Sequence, residues 1–402
     1  MKQNTEAVAG TGIRRHAPIQ SAGTRALVLS GGGITGFLYE IGVLAALEQA
    51  LAGDLLHQRF DFFVGTSAGA IVASLLANGA PVGEIYSALH DDLDSPYNFR
   101  PRDVFGLAGG GVAELIRSFS APLFGALARS VGRRRWPDAA TILADFQEHH
   151  PPGFYSTEPL ERALCTRFET LGYAHHFDEL PHRLYVTGAD IDTGERLVFG
   201  ADPFPGVHIC RAVAASCAIP IFFRPIRIDD RDVVDGAIAE ATPIDVAVEH
   251  GADRILYLNP LVPIRNDRTK LCLPVAGGHC GRLAEKGVGW IGEQSLRMLL
   301  AAKLENTMWA LQSTHPEIRI DAIQPAREEI PMFMHNVMSF AARRELLEYG
   351  VACGLRALES GLPVLSGDLG GSDTPIEPYP VGAFLRQPRS TTPVQRRSKH
   401  HA

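Results

Sequence analysis

The sequence lacks an uninterrupted apolar run of about 20 residues, the length that an α-helix needs to cross a bilayer. No apolar stretch follows Lys2 closely enough to form a secretory signal peptide. We therefore expect a cytoplasmic protein with neither a signal peptide nor a transmembrane helix. Any membrane contact would then be peripheral.

Cysteine is scarce and irregularly spaced. The 402 residues include six cysteines, and their spacing is not that of a disulfide framework. This favours a reducing compartment in which most of these thiols act as small buried hydrophobes. Cys272, His279 and Cys280 lack the spacing of zinc ligands, so we predict no metal site. The sequence also indicates no cofactor.

A strong excess of charge is missing as well. The formal net charge of −7 is mild for a chain of this length and argues against nucleic acid as the main partner. Hydrophobic residues make up 46% of the sequence, which is enough to bury the core of one large domain or two.

Two glycine-rich turns are the most informative stretches that are present. Each follows a short apolar run that predicts a buried strand, and each leads into a helical pattern. Both turns therefore lie at the carboxyl end of a strand, where open α/β sheets bind their ligands. The second turn, Gly65-Thr66-Ser67-Ala68-Gly69, has the Gly-x-Ser-x-Gly pattern of a nucleophile elbow. Alternatively, Ser67 is only the N-cap of the following helix.

The first turn is compatible with two chemistries. Gly31, Gly33 and Gly36 match the G-x-G-x-x-G fingerprint of dinucleotide-binding proteins. That fingerprint also needs an acidic residue at the end of the next strand, and Gly65-Thr66-Ser67 stands there instead. The better interpretation is an oxyanion hole, in which backbone amides of Gly31, Gly32, Gly33 and Gly36 face a developing negative charge.

A third informative stretch is Asp232-Val233-Val234-Asp235-Gly236-Ala237. A short apolar strand ends there in an aspartate, which we expect at the same sheet edge as Ser67. Asp235 is therefore a candidate base, although Asp-Gly is also a common turn dipeptide. A Ser-His-Asp triad would instead need a histidine downstream, and the candidates by chain order are His250, His279, His315 and His335.

The basic stretch Leu115–Trp136 combines large apolar residues with arginines 117, 129, 133, 134 and 135 and contains no acid. It predicts either a contact with anionic lipid or an ordinary solvated surface. Residues 1–22 have the composition of a disordered leader and residues 363–402 that of a disordered basic tail. The catalytic domain should span residues 23–362, with a cap-like insertion at about 95–150 and a helical part at about 285–360.

Together, these motifs resemble the patatin-like phospholipases in order and spacing. The resemblance rests on Ser30–Gly36, Gly65–Gly69 and Asp235-Gly236-Ala237, and also on the block Ala215-Ser216-Cys217-Ala218-Ile219-Pro220. It implies a three-layer α/β/α sandwich with a mainly parallel central sheet. It also implies hydrolysis of lipid acyl esters by a Ser-Asp dyad without histidine.

By this resemblance, Ser67 is the nucleophile, Asp235 is the base and the Gly31–Gly36 loop is the oxyanion hole. Gly65, Gly69, Gly236 and Ala237 support these motifs. One departure is Thr35, which stands where many family members have Arg or Lys. Two alternatives are a catalytically weak lipid-binding relative and a nucleotide-binding protein that uses Gly31–Gly36.

Overall fold

The computed structural model describes residues 23–51, 54–104, 106–107, 152–201, 204, 206–239, 243–270, 272–275, 278–329, 331–335 and 338–365. The predicted leader at 1–22, the basic stretch Leu115–Trp136 and the tail beyond residue 365 lie outside the described residues. So does most of the predicted cap-like insertion.

Eleven strands occur in the described residues: β1 Arg25–Leu29, β2 Phe62–Thr66, β3 Gly106–Leu107, β4 Gly153–Ser156, β5 Arg183–Asp190, β6 Arg196–Phe199, β7 Ile221–Phe223, β8 Ile226–Ile228, β9 Arg231–Asp235, β10 Arg254–Leu258 and β11 Arg319–Ile323. The α-helices are α1 Gly33–Ala50, α2 Ala68–Ala77, α3 Val82–His90, α4 Pro101–Val104, α5 Glu158–Leu171, α6 Ile209–Ser216, α7 Ile244–Glu249, α8 Val288–Thr314, α9 Pro331–Met334 and α10 Arg343–Ser360. Short 3-10 helices lie at Leu56–Arg59, Phe177–Glu179, Gly236–Ile238 and Leu283–Lys286.

Eight strands form the central sheet, with hydrogen-bonded neighbours in the order β11-β10-β1-β2-β5-β9-β8, while β6 also pairs with β5. The five strands from β11 to β5 are parallel. The pairs β5–β6, β5–β9 and β8–β9 are antiparallel. A small second sheet contains β3, β4 and β7. The prediction of a mainly parallel central sheet is confirmed.

The central sheet is buried on both faces. In β1, Leu27 and Leu29 belong to the core beneath α1, α2 and α10, whereas Ala26 and Val28 face the core beneath α7 and α8. Side chains of a strand alternate between its two faces, so a strand covered on both sides must be apolar throughout. The result is the expected three-layer α/β/α arrangement.

The crossing of α1 and α10 depends on glycine. A Cβ atom at Gly42 would lie 2.2 Å from the carbonyl oxygen of Leu347. A Cβ atom at Gly350 would lie 2.3 Å from the carbonyl oxygen of Tyr39. Both distances are far below van der Waals contact, so the two backbones can approach this closely only without side chains.

Two expectations from the sequence need correction. The part expected to be helical at about 285–360 also contains a strand, β11, between α8 and α9. Cys272 and Cys280 are joined by a disulfide, so the expectation of reduced cysteines is wrong for this pair. Irregular spacing hid it because the chain folds back and places Pro274 opposite Cys280. Of the other cysteines, Cys210, Cys217 and Cys353 are buried.

No helix in the described part of the chain has both the length and the apolar composition that crossing a bilayer requires.

We predict that Gly350→Ala lowers the free energy of unfolding by about 1–3 kcal/mol, because the added methyl group forces α1 and α10 apart. Gly292→Ala in α8 is the matched control, since a Cβ atom there meets nothing within 4 Å. It should raise stability by about 0.5–1 kcal/mol through helix propensity. Urea unfolding of both variants checks this, and equal effects at the two positions would contradict close packing of α1 on α10.

Candidate active site

Ser67 occupies a strained turn between β2 and α2. Its backbone has φ 53° and ψ −125°, a region that residues other than glycine rarely adopt. The flanking glycines make the turn sterically possible. A Cβ atom at Gly65 would lie 2.6 Å from Cα of Ala70, and one at Gly69 would lie 2.4 Å from the carbonyl oxygen of Leu29. The turn therefore has the geometry of the predicted nucleophile elbow.

Strand β5 brings the ends of β2 and β9 together. Thr187 of β5 pairs with Thr66 of β2, and the next residue, Gly188, pairs with Asp235 of β9. Both Thr187 and Gly188 also pair with β6, which occupies one side of β5. Because a strand has only two hydrogen-bonding sides, β2 and β9 must share the other side. The two strands thus meet end to end, and Ser67 and Asp235 lie at the junction.

The sequence argument placed Asp235 correctly but assumed the wrong strand direction. It treated β9 as another strand whose carboxyl end lies at the same edge as that of β2. In the structure, β9 is antiparallel to β5 and approaches β2 from the opposite direction. Asp235 reaches Ser67 because β5 extends past the end of β2 and offers β9 a partner there.

The Asp235 carboxylate is buried, and the residue is only 3% exposed. It accepts a hydrogen bond from the Ser67 hydroxyl and one of 2.9 Å from the backbone N–H of Ala237 to Oδ1. Burial raises the pKa of Asp235 to about 6, and these two hydrogen bonds partly oppose that rise. The carboxylate is therefore more basic than one in water and still ionised at neutral pH.

Gly236 and Thr187 pack closely against each other next to Ser67 and Asp235. A Cβ atom at Gly236 would lie 2.6 Å from Oγ1 of Thr187, so only glycine fits after the aspartate. The same Oγ1 lies 2.6 Å from Oγ1 of Thr66. Thr187 therefore contacts the turns that carry both candidate residues. The sequence did not reveal this role, because Thr187 looks like any other residue of a strand.

The Gly31–Gly36 loop lies against the same serine. A Cβ atom at Gly31 would come within 3.0 Å of Cβ of Ser67, so the loop backbone touches the turn directly. Gly33 has φ 59° and lines a pocket together with Ser67. These contacts place loop backbone and serine side by side, as an oxyanion hole requires.

The loop continues into the first turn of α1. The N–H of Gly36 donates to the carbonyl oxygen of Gly32 over 2.9 Å, so the amides just before Gly36 are not used by this helical bond. Thr35 is fully buried, and its hydroxyl donates to the carbonyl oxygen of Gly32 over 3.2 Å. This bond holds the loop backbone at Gly32. Thr35 is not among the described residues that line the pocket.

Ser216 makes a contact to which sequence reasoning assigned no role. Its Oγ accepts the backbone N–H of Ser67 over 2.7 Å in a buried position. Ser216 is the last residue of α6, so this bond ties α6 to the strained turn. The sequence signal for this contact is the block of small residues at 215–220. The sequence analysis used that block only as part of the family resemblance.

The pocket beside Ser67 is almost wholly apolar. Its wall includes Ile34 and Phe37 from α1, Leu160 from α5 and Phe223 from β7. The other residues that line it are Gly33, Ser67, Ala68, Ile71, Phe99, Val104, Thr157, Cys217, Ile219, Met338 and Phe340. A pocket of this composition suits a hydrocarbon chain better than a phosphate group.

The four candidate histidines of a triad lie elsewhere. The ring of His250 stacks on Tyr185 at 3.9 Å, and burial lowers its pKa. Each of the other three has a carboxylate partner: His279 pairs with Glu285, His315 with Glu317 and His335 with Glu345. No histidine is among the described residues that line the Ser67 pocket.

Comparison with known proteins identifies a family match. The family model for patatin-like phospholipase matches residues 27–248, which is more than half of the chain. A cUMP-AMP-activated phospholipase of Escherichia coli is 49% identical over 63 residues, covering 16% of this chain and 19% of that protein. A cGAMP-activated phospholipase of Pseudomonas aeruginosa is 29% identical over 226 residues, covering 54% of this chain and 53% of that protein.

Among solved structures, VipD from Legionella pneumophila is similar with a TM-score of 0.42 at 16% identity. That match covers 84% of this chain and 67% of VipD. The chain spans less than two thirds of the length of the curated relatives it matches.

We predict that the Asp235 carboxyl titrates with a pKa of about 6 and that Ser67→Ala raises this pKa further. Removing the hydroxyl removes a hydrogen bond that favours the charged form. Carboxyl-carbon NMR of aspartate-labelled protein measures both values, and the resonance missing from Asp235→Asn gives the assignment. A wild-type pKa near that of a solvated aspartate, or no rise in Ser67→Ala, would contradict a buried, serine-bonded carboxylate.

Proposed function

Since residues 27–248 match its model, the chain belongs to the patatin-like phospholipase family, and on that premise we propose that it is a serine hydrolase. Its substrates are fatty-acyl esters of lipids, including phospholipids, and its intermediate is an acyl-enzyme on Ser67. The observation that carries this proposal is that the folded sheet brings the buried Asp235 and Ser67 together at the ends of β9 and β2, beside an apolar pocket.

In the first half of the reaction, Asp235 accepts the proton of Ser67 while Oγ attacks the ester carbonyl carbon. Backbone amides of the Gly31–Gly36 loop stabilise the negative charge that develops on the carbonyl oxygen. Asp235 then gives the proton to the departing alcohol oxygen, and the acyl group remains on Ser67. A carboxylate suffices as the base because burial raises its pKa to about 6.

In the second half, water attacks the acyl-enzyme and Asp235 accepts a proton from it. The tetrahedral intermediate collapses, the fatty acid leaves, and the proton returns to the Ser67 oxygen. The apolar pocket beside Ser67 would hold the acyl chain throughout. This lining argues against the nucleotide-binding alternative, which would need polar groups for phosphate and leaves the Ser67–Asp235 pair without a role.

We predict that Ser67→Ala and Asp235→Asn each lower hydrolysis of a soluble short-chain ester by about 10³-fold or more. Ser67→Ala should also abolish labelling by a fluorophosphonate probe. Alanine replacement of His250, His279, His315 or His335 should keep most of the activity and serves as the control. A folded Ser67→Ala protein that still reacts with the probe, or a histidine variant as impaired as Asp235→Asn, would contradict the dyad.

We also propose that the protein contacts the lipid surface through apolar side chains near the pocket. Ile219 and Phe223 line the pocket, and between them Ile221 and Phe222 are 74% and 42% exposed. Ile221 has φ 75°, which is a strained backbone for a β-branched residue. The chain therefore holds two large apolar side chains in solvent beside the pocket, which a lipid surface would cover.

Helix α8 adds a second apolar surface at the same edge of the sheet. It leads into β11, which is parallel to β10, so α8 runs against the strands with its N-terminal half toward their carboxyl ends. Two contacts agree with this direction: Lys303 Nζ donates to the carbonyl oxygen of Ala239, and Arg297 donates to that of Val262. A helix of 27 residues is about 40 Å long, whereas a five-residue strand spans about 17 Å. The N-terminal half of α8 therefore extends past the sheet edge.

The exposed side of that half is apolar. Within Val288–Lys303, the acid Glu293 is paired with the buried Arg297 at 2.8 Å. The large apolar side chains exposed there are Val288, Ile291, Leu296, Met298 and Leu299, and Lys303 at the end of this range is also exposed. Such a surface can enter the interface of a membrane without removing an unpaired acidic group from water. The basic stretch Leu115–Trp136 remains a separate prediction outside the described residues.

We predict that replacing Met298 and Leu299 together with glutamine weakens partitioning onto phospholipid vesicles by about 100-fold or more. Each buried apolar side chain of this size contributes about 1.5–3 kcal/mol. Turnover on vesicles should fall in parallel, while hydrolysis of a soluble ester stays unchanged.

Trp309→Gln is the matched control, because Trp309 is 73% exposed but lies in the C-terminal half of α8. Vesicle co-sedimentation and the two activity assays measure these effects. Normal vesicle binding by the double variant would show that α8 does not contact the lipid surface. It would leave the proposal of a Ser67–Asp235 dyad unaffected. Loss of soluble-ester turnover would indicate a folding defect instead.

A further inference from the structure

Two cysteines and a histidine from separate segments of the chain converge where α5 and the loop after it meet α6. Cys165 lies in α5, His175 follows the end of that helix, and Cys210 lies in the first turn of α6. One ligand atom from each of the three lies within 4.8 Å of the other two. We propose that these three residues form a binding site for a thiophilic metal ion and that the ion is Zn²⁺.

The distances suit such an ion. Zinc binds cysteine sulfur at about 2.3 Å and histidine nitrogen at about 2.0–2.1 Å in tetrahedral geometry. The ligand atoms of a tetrahedral site are then about 3.5–3.8 Å apart. Closing the triangle from its present span of at most 4.8 Å needs a shift of about 1 Å, which side-chain rotation can supply. Two thiolates and an imidazole are ligands that zinc prefers over the hard cations.

The backbone around the site is held in place before any metal binds. The carbonyl oxygen of His175 accepts the N–H of Ile209 over 2.9 Å, which fixes the loop to the start of α6. The N–H of Ala174 donates to Oδ1 of Asn78 over 2.8 Å. The Phe168 ring contacts the His175 ring edge to face at 5.9 Å. The loop that carries the imidazole is thus anchored on both sides.

Charge and access also fit. Two thiolates neutralise a divalent cation, so the loaded site adds no net charge to a partly buried region. The ion pair that joins α6 to α5, Arg211 with Glu161 at 2.7 Å, has no net charge. Cys210 is buried, whereas Cys165 and His175 are half-buried. An ion can therefore enter from the solvent side, and water can complete its coordination.

A metal ion at this position would link a helix that lines the pocket to a helix that contacts Ser67. Helix α5 contributes Leu160 to the pocket, and Thr157 precedes the same helix in the pocket wall. Helix α6 ends at Ser216, which holds the backbone N–H of Ser67. A metal that joins Cys165 to Cys210 would cross-link these two helices. We expect it to stabilise the pocket wall and to raise the melting temperature by a few degrees.

The test is titration of the metal-free, reduced 402-residue protein with Co²⁺ under anaerobic conditions, followed by displacement with Zn²⁺. One equivalent of Co²⁺ should produce the thiolate charge-transfer band and the visible bands of a tetrahedral site, and Zn²⁺ should remove them. Cys165→Ser, Cys210→Ser and His175→Ala should each weaken Co²⁺ binding by more than about 100-fold, because losing a direct ligand costs more than losing an outer partner.

Two controls isolate the site. Cys353→Ser replaces another buried cysteine, in α10, and should bind Co²⁺ normally. Cys272→Ser combined with Cys280→Ser should also bind normally, which excludes thiols released from the disulfide by the reductant.

Absence of the cobalt bands in the wild type, or their survival in Cys210→Ser, would overturn the proposal. So would a reduced protein that forms a Cys165–Cys210 disulfide on air exposure but takes up no metal beforehand. These readouts do not depend on ester hydrolysis, so they stand apart from the test of the dyad.

Discussion

The pairing capacity of one strand controls the arrangement of the candidate site. Strand β5 has two hydrogen-bonding sides, and β6 fills one of them across Thr187 and Gly188. The other side serves β2 as far as Thr187 and β9 from Gly188 onward. Two strands that run toward each other must then stop at adjacent positions. The turns after both strands, which carry Ser67 and Asp235, are thereby brought into contact without any long side chain.

The chemistry that we propose follows from what surrounds this junction. Apolar walls exclude water, which disfavours the charge on Asp235 and raises its pKa to about 6. The serine hydroxyl and the Ala237 amide restore enough stabilisation to keep the carboxylate ionised at neutral pH. The backbone strain at Ser67, with φ 53°, persists because surrounding contacts enforce it. Those contacts come from Gly65, Gly69 and the hydroxyl of Ser216.

The proposed metal site joins α5, which lines the pocket, to α6, which contacts the strained turn at Ser67. Helix α6 contacts the strained turn at one end and carries Cys210 at the other, while α5 lines the pocket and carries Cys165. A cross-link between them would act on the wall and not on the reacting atoms. The apolar surface of α8 and the side chains of Ile221 and Phe222 lie at the sheet edge where the pocket is found. The proposed lipid contact and the proposed metal cross-link therefore involve different residues of the protein.

The sequence alone determined the local units. Apolar runs followed by glycine-rich turns predicted β1–α1 and β2–α2, and the motifs identified Ser67, Asp235 and the Gly31–Gly36 loop as candidates. These features depend on neighbours within a few residues, where backbone geometry and side-chain size leave few choices. The three-layer class came from the resemblance to the patatin-like phospholipases, and the burial of the central strands on both faces agrees with it.

Only the tertiary structure decided what depends on distant partners. The antiparallel direction of β9, the role of Ser216, the bracing by Thr187 and the Cys272–Cys280 disulfide all arise from contacts between separate segments. The convergence of Cys165, His175 and Cys210 has the same origin. Spacing along the chain carries no signal for such contacts, because the intervening elements set the distance in space. The sequence therefore named the residues of the candidate dyad, and the folded sheet supplied the reason that they meet.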